Sequence, residues 1–185
     1  MKKKYIQKIV IFFLKLRSSF TQKDNVVNIF DAFSSARSLL ITMPHQAEEF
    51  VIAHKYVNSL KERYSRSDLT LIIPSVNKNL LNLQGNYGMI FVDNNNVNWL
   101  GLPKKGLTEK MNASTYDIAI DLNYRFNLLS TFLCQKSDAI LRVCMQDSHR
   151  ELFFNINISL PVNKSLDEKY QSFINYISSS AKSAK

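Results

Sequence analysis

The sequence predicts an α/β fold, a Rossmann-like three-layer sandwich built on a mostly parallel sheet. Three observations carry this. From residue 38 onward, short apolar runs alternate with longer segments of helical periodicity. The runs close on proline, or on aspartate and asparagine, residues that stop strands. The intervals between runs are long enough for crossover helices, which parallel strands require. A chain of 185 residues, 45% hydrophobic and 11% aromatic, suits one domain with a substantial core. Four glycines and four prolines leave no low-complexity linker.

Residues 1–36 read as a basic amphipathic helix and linker, and residues 37–180 as the folded domain. Eight Lys/Arg stand against Asp24 and Asp31 in residues 1–37, whereas the rest of the chain carries sixteen against thirteen. The net charge of +9 therefore belongs mostly to the N-terminal segment, unlike a domain-wide nucleic-acid surface. Tyr5, Ile6, Ile9, Val10, Phe13 and Leu16 recur at helical spacing among the lysines. The apolar run from Ile9 to Leu14 is too short to span a bilayer, and no small-x-small cleavage site follows it. Two readings stay open. The helix lies on an anionic membrane surface through Lys2, Lys3, Lys4, Lys8, Phe12, Phe13 and Lys15, or it packs its apolar face on the domain and leaves its lysines solvated.

The elements follow in order. A polar stretch over 21–28 and a short bridge lead to a central strand at 38–42, ended by Pro44. Phe50, Val51, Ala53, His54, Val57, Leu60 and Tyr64 make a helical stripe over 50–64. Strands follow at 69–73 and 89–92, the latter closed by Asp93 and three asparagines. Residues 99–113 read as a loop with a short helix near 107–111; core packing is the expected fate of Trp99, the alternative being an exposed apolar loop with Leu100 and Leu102 that contacts an acceptor or partner. A fourth strand at 116–122 leads into an apolar helix at 125–135, then a fifth strand at 139–145. Residues 153–160 alternate as a sixth strand or an edge extension. A final helix covers 165–178, with Ser165 and Glu168 as a capping box. The expected strand order is 3-2-1-4-5, with a place for the sixth. Its switch point, between the first and fourth strands, brings the 44–49 loop to residues 121–125, where an α/β sheet places its ligand.

The chemistry that can be excluded is broad. There is no P-loop, no Gly-x-Gly-x-x-Gly, no Gly-x-Ser-x-Gly elbow and no His/Cys cluster for zinc, so neither cofactor nor metal is expected. Cys134 and Cys144 lack metal spacing and read as buried thiols. The 44–49 loop holds no glycine, and Glu48 and Glu49 repel phosphate at the helix start. These acids either complement the helix dipole or, at Glu49, supply a base. His45 is a candidate ligand-binding group or an exposed bystander; His54 reads as packed and His149 as surface. Asp121 binds a ligand or caps the next helix, and Arg125 holds an anion or pairs with Asp121.

The segment SLLITMPHQAEEFVIAHKYVNSLKERY, followed by LTLIIP, resembles the opening of family 9 glycosyltransferases, the lipopolysaccharide heptosyltransferase group. YDIAIDL, SDAILRVCM and ELFFNINISLP are similar to later strands of that family's first domain, so the resemblance covers about 37–178. It implies a bacterial, cell-envelope, GT-B half: an acceptor-side domain in which Glu48-Glu49 stand where the family has Gly-Asp, the aspartate being the proposed base. Met43 stands where the family often has arginine. The implied ligand is a sugar or lipid-linked acceptor; the implied partner is a donor-domain protein or a second copy. The expected place is cytoplasmic, peripheral on the inner face of the cytoplasmic membrane, without independent catalysis. A non-enzymatic protein- or membrane-interaction module is the alternative, and nucleic-acid binding through the basic arm the least favoured.

Overall fold

The computed structural model describes residues 28–83 and 85–181. The N-terminal helix expected within residues 1–27, with its proposed membrane contacts, lies outside them. The described chain runs α1 (Ile29–Ser35), β1 (Ser38–Thr42), α2 (Ala47–Arg63), β2 (Asp68–Pro74), β3 (Gly88–Val92), α3 (Lys105–Met111), β4 (Ile118–Asp121), α4 (Leu128–Lys136), β5 (Leu141–Met145), β6 (Ile156–Ile158) and α5 (Leu166–Ser180), with a 3-10 helix at Ser75–Leu80. The six strands form one sheet in the order β3-β2-β1-β4-β5-β6, every pair parallel, as expected.

Alternation along β1 shows how the layers form. Leu39 and Ile41 face α1, α2 and α5, whose Phe33, Phe50, Leu60, Tyr170 and Phe173 are buried in the same cluster. Leu40 faces the other way, toward Leu107 and Met111 of α3 and Leu133 and Cys134 of α4. A strand covered on both faces must be apolar on both, hence the unbroken run LLI at the centre of SLLIT. Burial keeps both thiols protonated, pushing Cys144 up to about 12 and Cys134 well above its ordinary value.

Several expectations need correction. The bridge before β1 contains a helix, α1, capped by Asn28, whose side chain accepts from the Phe30 amide, and it buries Phe33. A seven-residue helix shows little periodicity, so it stays hidden in the sequence. Val51 is 46% exposed despite its place in the apolar stripe. Trp99 is 67% exposed instead of packed. The fourth helix begins at Leu128, three residues later than expected. By contrast, the Ser165–Glu168 capping box forms as its spacing requires, and its hydrogen bonds hold the Glu168 carboxyl below the ordinary carboxylate range.

His54 is half-buried, and its Nε2 accepts from the Asn82 amide at 3.0 Å. Only neutral imidazole can accept there, and desolvation holds the ring below its usual 6.5. A folded-state value that is depressed contributes stability above the unfolded value, and that stability is lost as pH falls through the folded one. The expected NMR titration midpoint for His54 lies below 6.5, with Asn82 amide exchange accelerating on the acid side. A midpoint above 6.5 would reject this clamp.

Candidate functional site

In the parallel register of β1 and β4, Thr42 lies beside Asp121 at the carboxyl ends of both strands. This is the switch point of the sheet, where flanking loops part and leave a crevice. A cleft of about 180 Å³ opens there. Its floor is apolar, made by Met43, Ile72, Val92 and Leu133. His45, Asp93 and Asn94 give it a polar rim, and Val76, 71% exposed, stands at its mouth. The volume lies below that of drug-sized pockets, which hold several hundred Å³. A single sugar ring or a short aliphatic group matches it, with a ring's apolar face on the floor and its hydroxyls at the rim.

Asp121 sits behind the cleft wall, fully buried. Its Oδ1 accepts from Thr42 Oγ1 at 2.9 Å, the Asn123 amide at 3.0 Å and Asn123 Nδ2 at 2.7 Å. Its Oδ2 accepts from Ser130 Oγ at 2.8 Å and lies 3.9 Å from Arg150 Nη1. A buried carboxylate needs this saturation, because an unpaired one in a dry site is costly. Both expected roles of Asp121 are therefore displaced. It stands behind Thr42, Asn123 and Ser130, which line the cleft in its place, and the cap of α4 is Asn127, whose Oδ1 accepts from the Ser130 amide.

The ion partner of Asp121 is Arg150, a residue sequence reasoning missed, and Arg125 makes no such pair. Arg150 is 0% exposed and ends a turn in which its amide donates to the Asp147 carbonyl and the His149 amide to Asp147 Oδ1. From there its Nη1 donates to the Asn123 carbonyl at 2.8 Å and its Nη2 to the Arg125 carbonyl. Arg150 thus fastens the β4–α4 loop from beneath, fixing the backbone that places Asn123 and Asn127 on the cleft. Arg125 itself is exposed and precedes the helix.

Of the five residues picked out by sequence, only His45 lines the cleft. Glu48 is exposed in the first turn of α2. Glu49 is 9% exposed, and its charge acts on Tyr170 of α5, whose phenol donates to the Leu122 carbonyl at 2.5 Å. Burial first, then the charges of Glu49 and Asp121, push the Tyr170 phenol well above its usual value, so it remains a donor. Glu49 and the cleft therefore flank the switch point from opposite faces of the sheet. Asp93 was legible as the stop of the third strand, and its place at a strand's carboxyl end was the available signal for a rim residue. Among the described residues no His/Cys/Asp/Glu group has metal-site geometry.

No family profile matches the sequence, and no curated protein matches it. Solved structures do match in fold. The glycosyl transferase family 9 structure from Veillonella parvula superposes with a TM-score of 0.61 at 16% identity, over 76% of this chain and 41% of that one. The E. coli heptosyltransferase WaaC with ADP gives 0.56 at 12% identity, over 75% and 46%. The E. coli ADP-heptose lps heptosyltransferase II gives 0.56 at 15%, over 74% and 40%. The chain thus spans less than half the length of each, and the likeness is one of fold: a glycosyltransferase-like, Rossmann-like α/β domain.

Proposed function

We propose that this domain is the acceptor-side half of a heptosyltransferase-like glycosyltransferase, binding a sugar or lipid-linked sugar in the switch-point cleft. One observation carries the reading: a small cleft with an apolar floor and a polar rim lies at the topological switch point of a fold shared with heptosyltransferases. The domain lacks independent catalysis in this reading, because Asp121 is locked in its network and Glu49 stands off the cleft. Transfer requires a donor-binding unit from elsewhere, and Glu49 serves as the base only if closure of the two units turns it from α5 toward the acceptor hydroxyl. Glu48 and Arg125, both exposed beside the site, would meet that unit or the far end of the acceptor.

The direct test titrates the full chain with a lipid-free lipopolysaccharide core oligosaccharide, following amide shifts. Saturable changes at residues 42–45 and 93–97 are expected. His45→Ala removes one exposed rim group, so affinity should fall about tenfold, the worth of one good hydrogen bond to a polar ligand, with thermal stability unchanged. Equal affinity in the variant would remove His45 from the site.

The basic N-terminal segment supports a peripheral place on the cytoplasmic face of a membrane, through Lys2, Lys3, Lys4, Lys8, Phe12, Phe13 and Lys15. Among the described residues no helix is long and apolar enough to cross a membrane. Flotation with anionic liposomes should be lost when residues 1–20 are deleted; flotation that persists rejects the arrangement.

A second reading, a non-enzymatic interaction module, is favoured by the loop around Trp99. Val97 and Pro103 form an antiparallel bridge, and Asn98 Oδ1 accepts from the Leu100 and Leu102 amides at 2.9 and 3.1 Å. This braced loop presents Trp99 to solvent. Glu49→Gln separates the two readings: it abolishes transfer in a reconstituted enzyme and leaves an interaction module untouched.

A further inference from the structure

We propose that the amino-terminal end of the sheet, opposite the cleft, carries a second binding site, one for a phosphoryl group. A polar cavity of about 590 Å³ lies there, beneath the starts of β1 and β2. Arg37, Arg63 and Arg66 line it together with Tyr64 and Ser65, and no acidic residue does. Among the described residues, none of the three guanidiniums enters an ion pair or a hydrogen bond. Two buried atoms at the same place, Arg63 Nε and the Tyr64 hydroxyl, have no partner among them either.

A position at a helix end accounts for Arg63, the last residue of α2, where a cation complements the helix dipole. It does not account for Arg37, which precedes β1, or Arg66, in the turn before β2. Nor does it account for a tyrosine 5% exposed with an unpartnered hydroxyl. Buried polar groups are almost always satisfied, so two orphans on one cavity wall indicate a missing acceptor. Helices α1, α2 and α5 all end at this cavity, each with at most about half a negative charge, which leaves three full positive charges dominant. Guanidinium forks match phosphate oxygens in bidentate geometry, a preference ammonium groups lack. Burial pushes the Tyr64 phenol well above its usual value, so it offers only a proton donor to an anion. Five donor side chains on one cavity, with the nearby Asp117 carboxylate already engaged by the Arg37 and Ser38 amides and Ser38 Oγ, suit a doubly charged phosphate monoester or diphosphate.

The site is independent of the acceptor reading, since the cleft lies at the other end of the strands. The test uses the full chain with inorganic pyrophosphate as probe, read by calorimetry and amide shifts. Saturable binding is expected, with shifts at residues 34–37 and 63–67. Arg37 and Arg66 are exposed, so the Arg37→Gln/Arg66→Gln variant should fold normally and bind at least about tenfold more weakly. Tyr64→Phe should weaken binding several-fold without lowering thermal stability, because its hydroxyl bonds to nothing in the empty site. His45→Ala should leave pyrophosphate binding unchanged. Two arms then identify the source of the phosphoryl group: glucose 1-phosphate in solution, and phosphatidic acid vesicles. Sensitivity to the double variant in the sugar-phosphate arm assigns a soluble ligand, and in the vesicle arm a lipid headgroup. Pyrophosphate binding that the double variant leaves intact, or shifts confined to the lysines of residues 1–27, would overturn the site.

Discussion

Arg150→Met should destabilise the domain by about 3–5 kcal/mol, the range for removing one partner of a buried ion pair. The guanidinium contributes little net stability as a charge, because its desolvation offsets most of its attraction to Asp121. Its loss is expensive for a different reason. The Asp121 carboxylate stays behind fully buried, and the carbonyls of Asn123 and Arg125 lose their donor. Methionine fills much of the volume, so the cost reports charge and hydrogen bonding more than a cavity. Denaturant unfolding of the single and double variants Arg150→Met and Asp121→Asn/Arg150→Met forms the check. The double variant should recover a large part of the loss, since an amide keeps the Ser130, Thr42 and Asn123 contacts without a stranded charge. No recovery would show that Arg150 acts by filling space. A functional corollary follows: oligosaccharide binding in the cleft should weaken in the single variant, because the loop carrying Asn123 and Asn127 loses its anchor.

Phe173→Ala should cost about 3–5 kcal/mol, roughly 6–20 °C in melting temperature for a domain of this size. Phe173 lies in the middle of α5, fully buried between α2 and the sheet, in one cluster with Tyr170, Ile174 and Ile177. Removing the ring leaves a cavity that rigid neighbours on a β-sheet cannot close. Tyr176, three residues on and 47% exposed, provides the contrast: Tyr176→Ala should cost under about 1 kcal/mol. Comparable losses at the two positions would mean that α5 docks through a face other than the one described. The helix also matters to the site. Tyr170 reaches from it to the Leu122 carbonyl, so loosening α5 frees the backbone immediately after Asp121.

The fold was legible because its signals are local. A parallel strand covered on both faces has to be apolar on consecutive residues, and LLI, LII and IAI are so at the centres of β1, β2 and β4. Proline and asparagine clusters mark where those runs stop, and the right-handed crossover rule then leaves few strand orders. The Ser165–Glu168 cap was legible for the same reason, both partners lying within one turn. The site was legible in location but only partly in composition. His45 reached the cleft because a strand's carboxyl end fixes where its loop emerges. Glu49 did not, because four residues further along, helix α2 has turned it toward α5.

Trp99 misled because a large aromatic residue reads as core unless its loop is known to be braced from within. Arg150 was invisible because nothing about an arginine in DSHRE distinguishes a solvated side chain from one folded inward.

The sequence alone determined the layers, the parallel sheet, the strand order and the position of the switch point. Each follows from periodicity and chain connectivity. Only the tertiary structure decided which polar residues face a ligand and which are spent on the core, because that depends on contacts across long stretches of chain. Asp121 and Thr42 meet 79 residues apart. The arginines at the opposite end of the sheet gather from the approach to one strand, the end of a helix and the approach to the next strand. No spacing rule links those positions; the parallel register of β1 and β2 does.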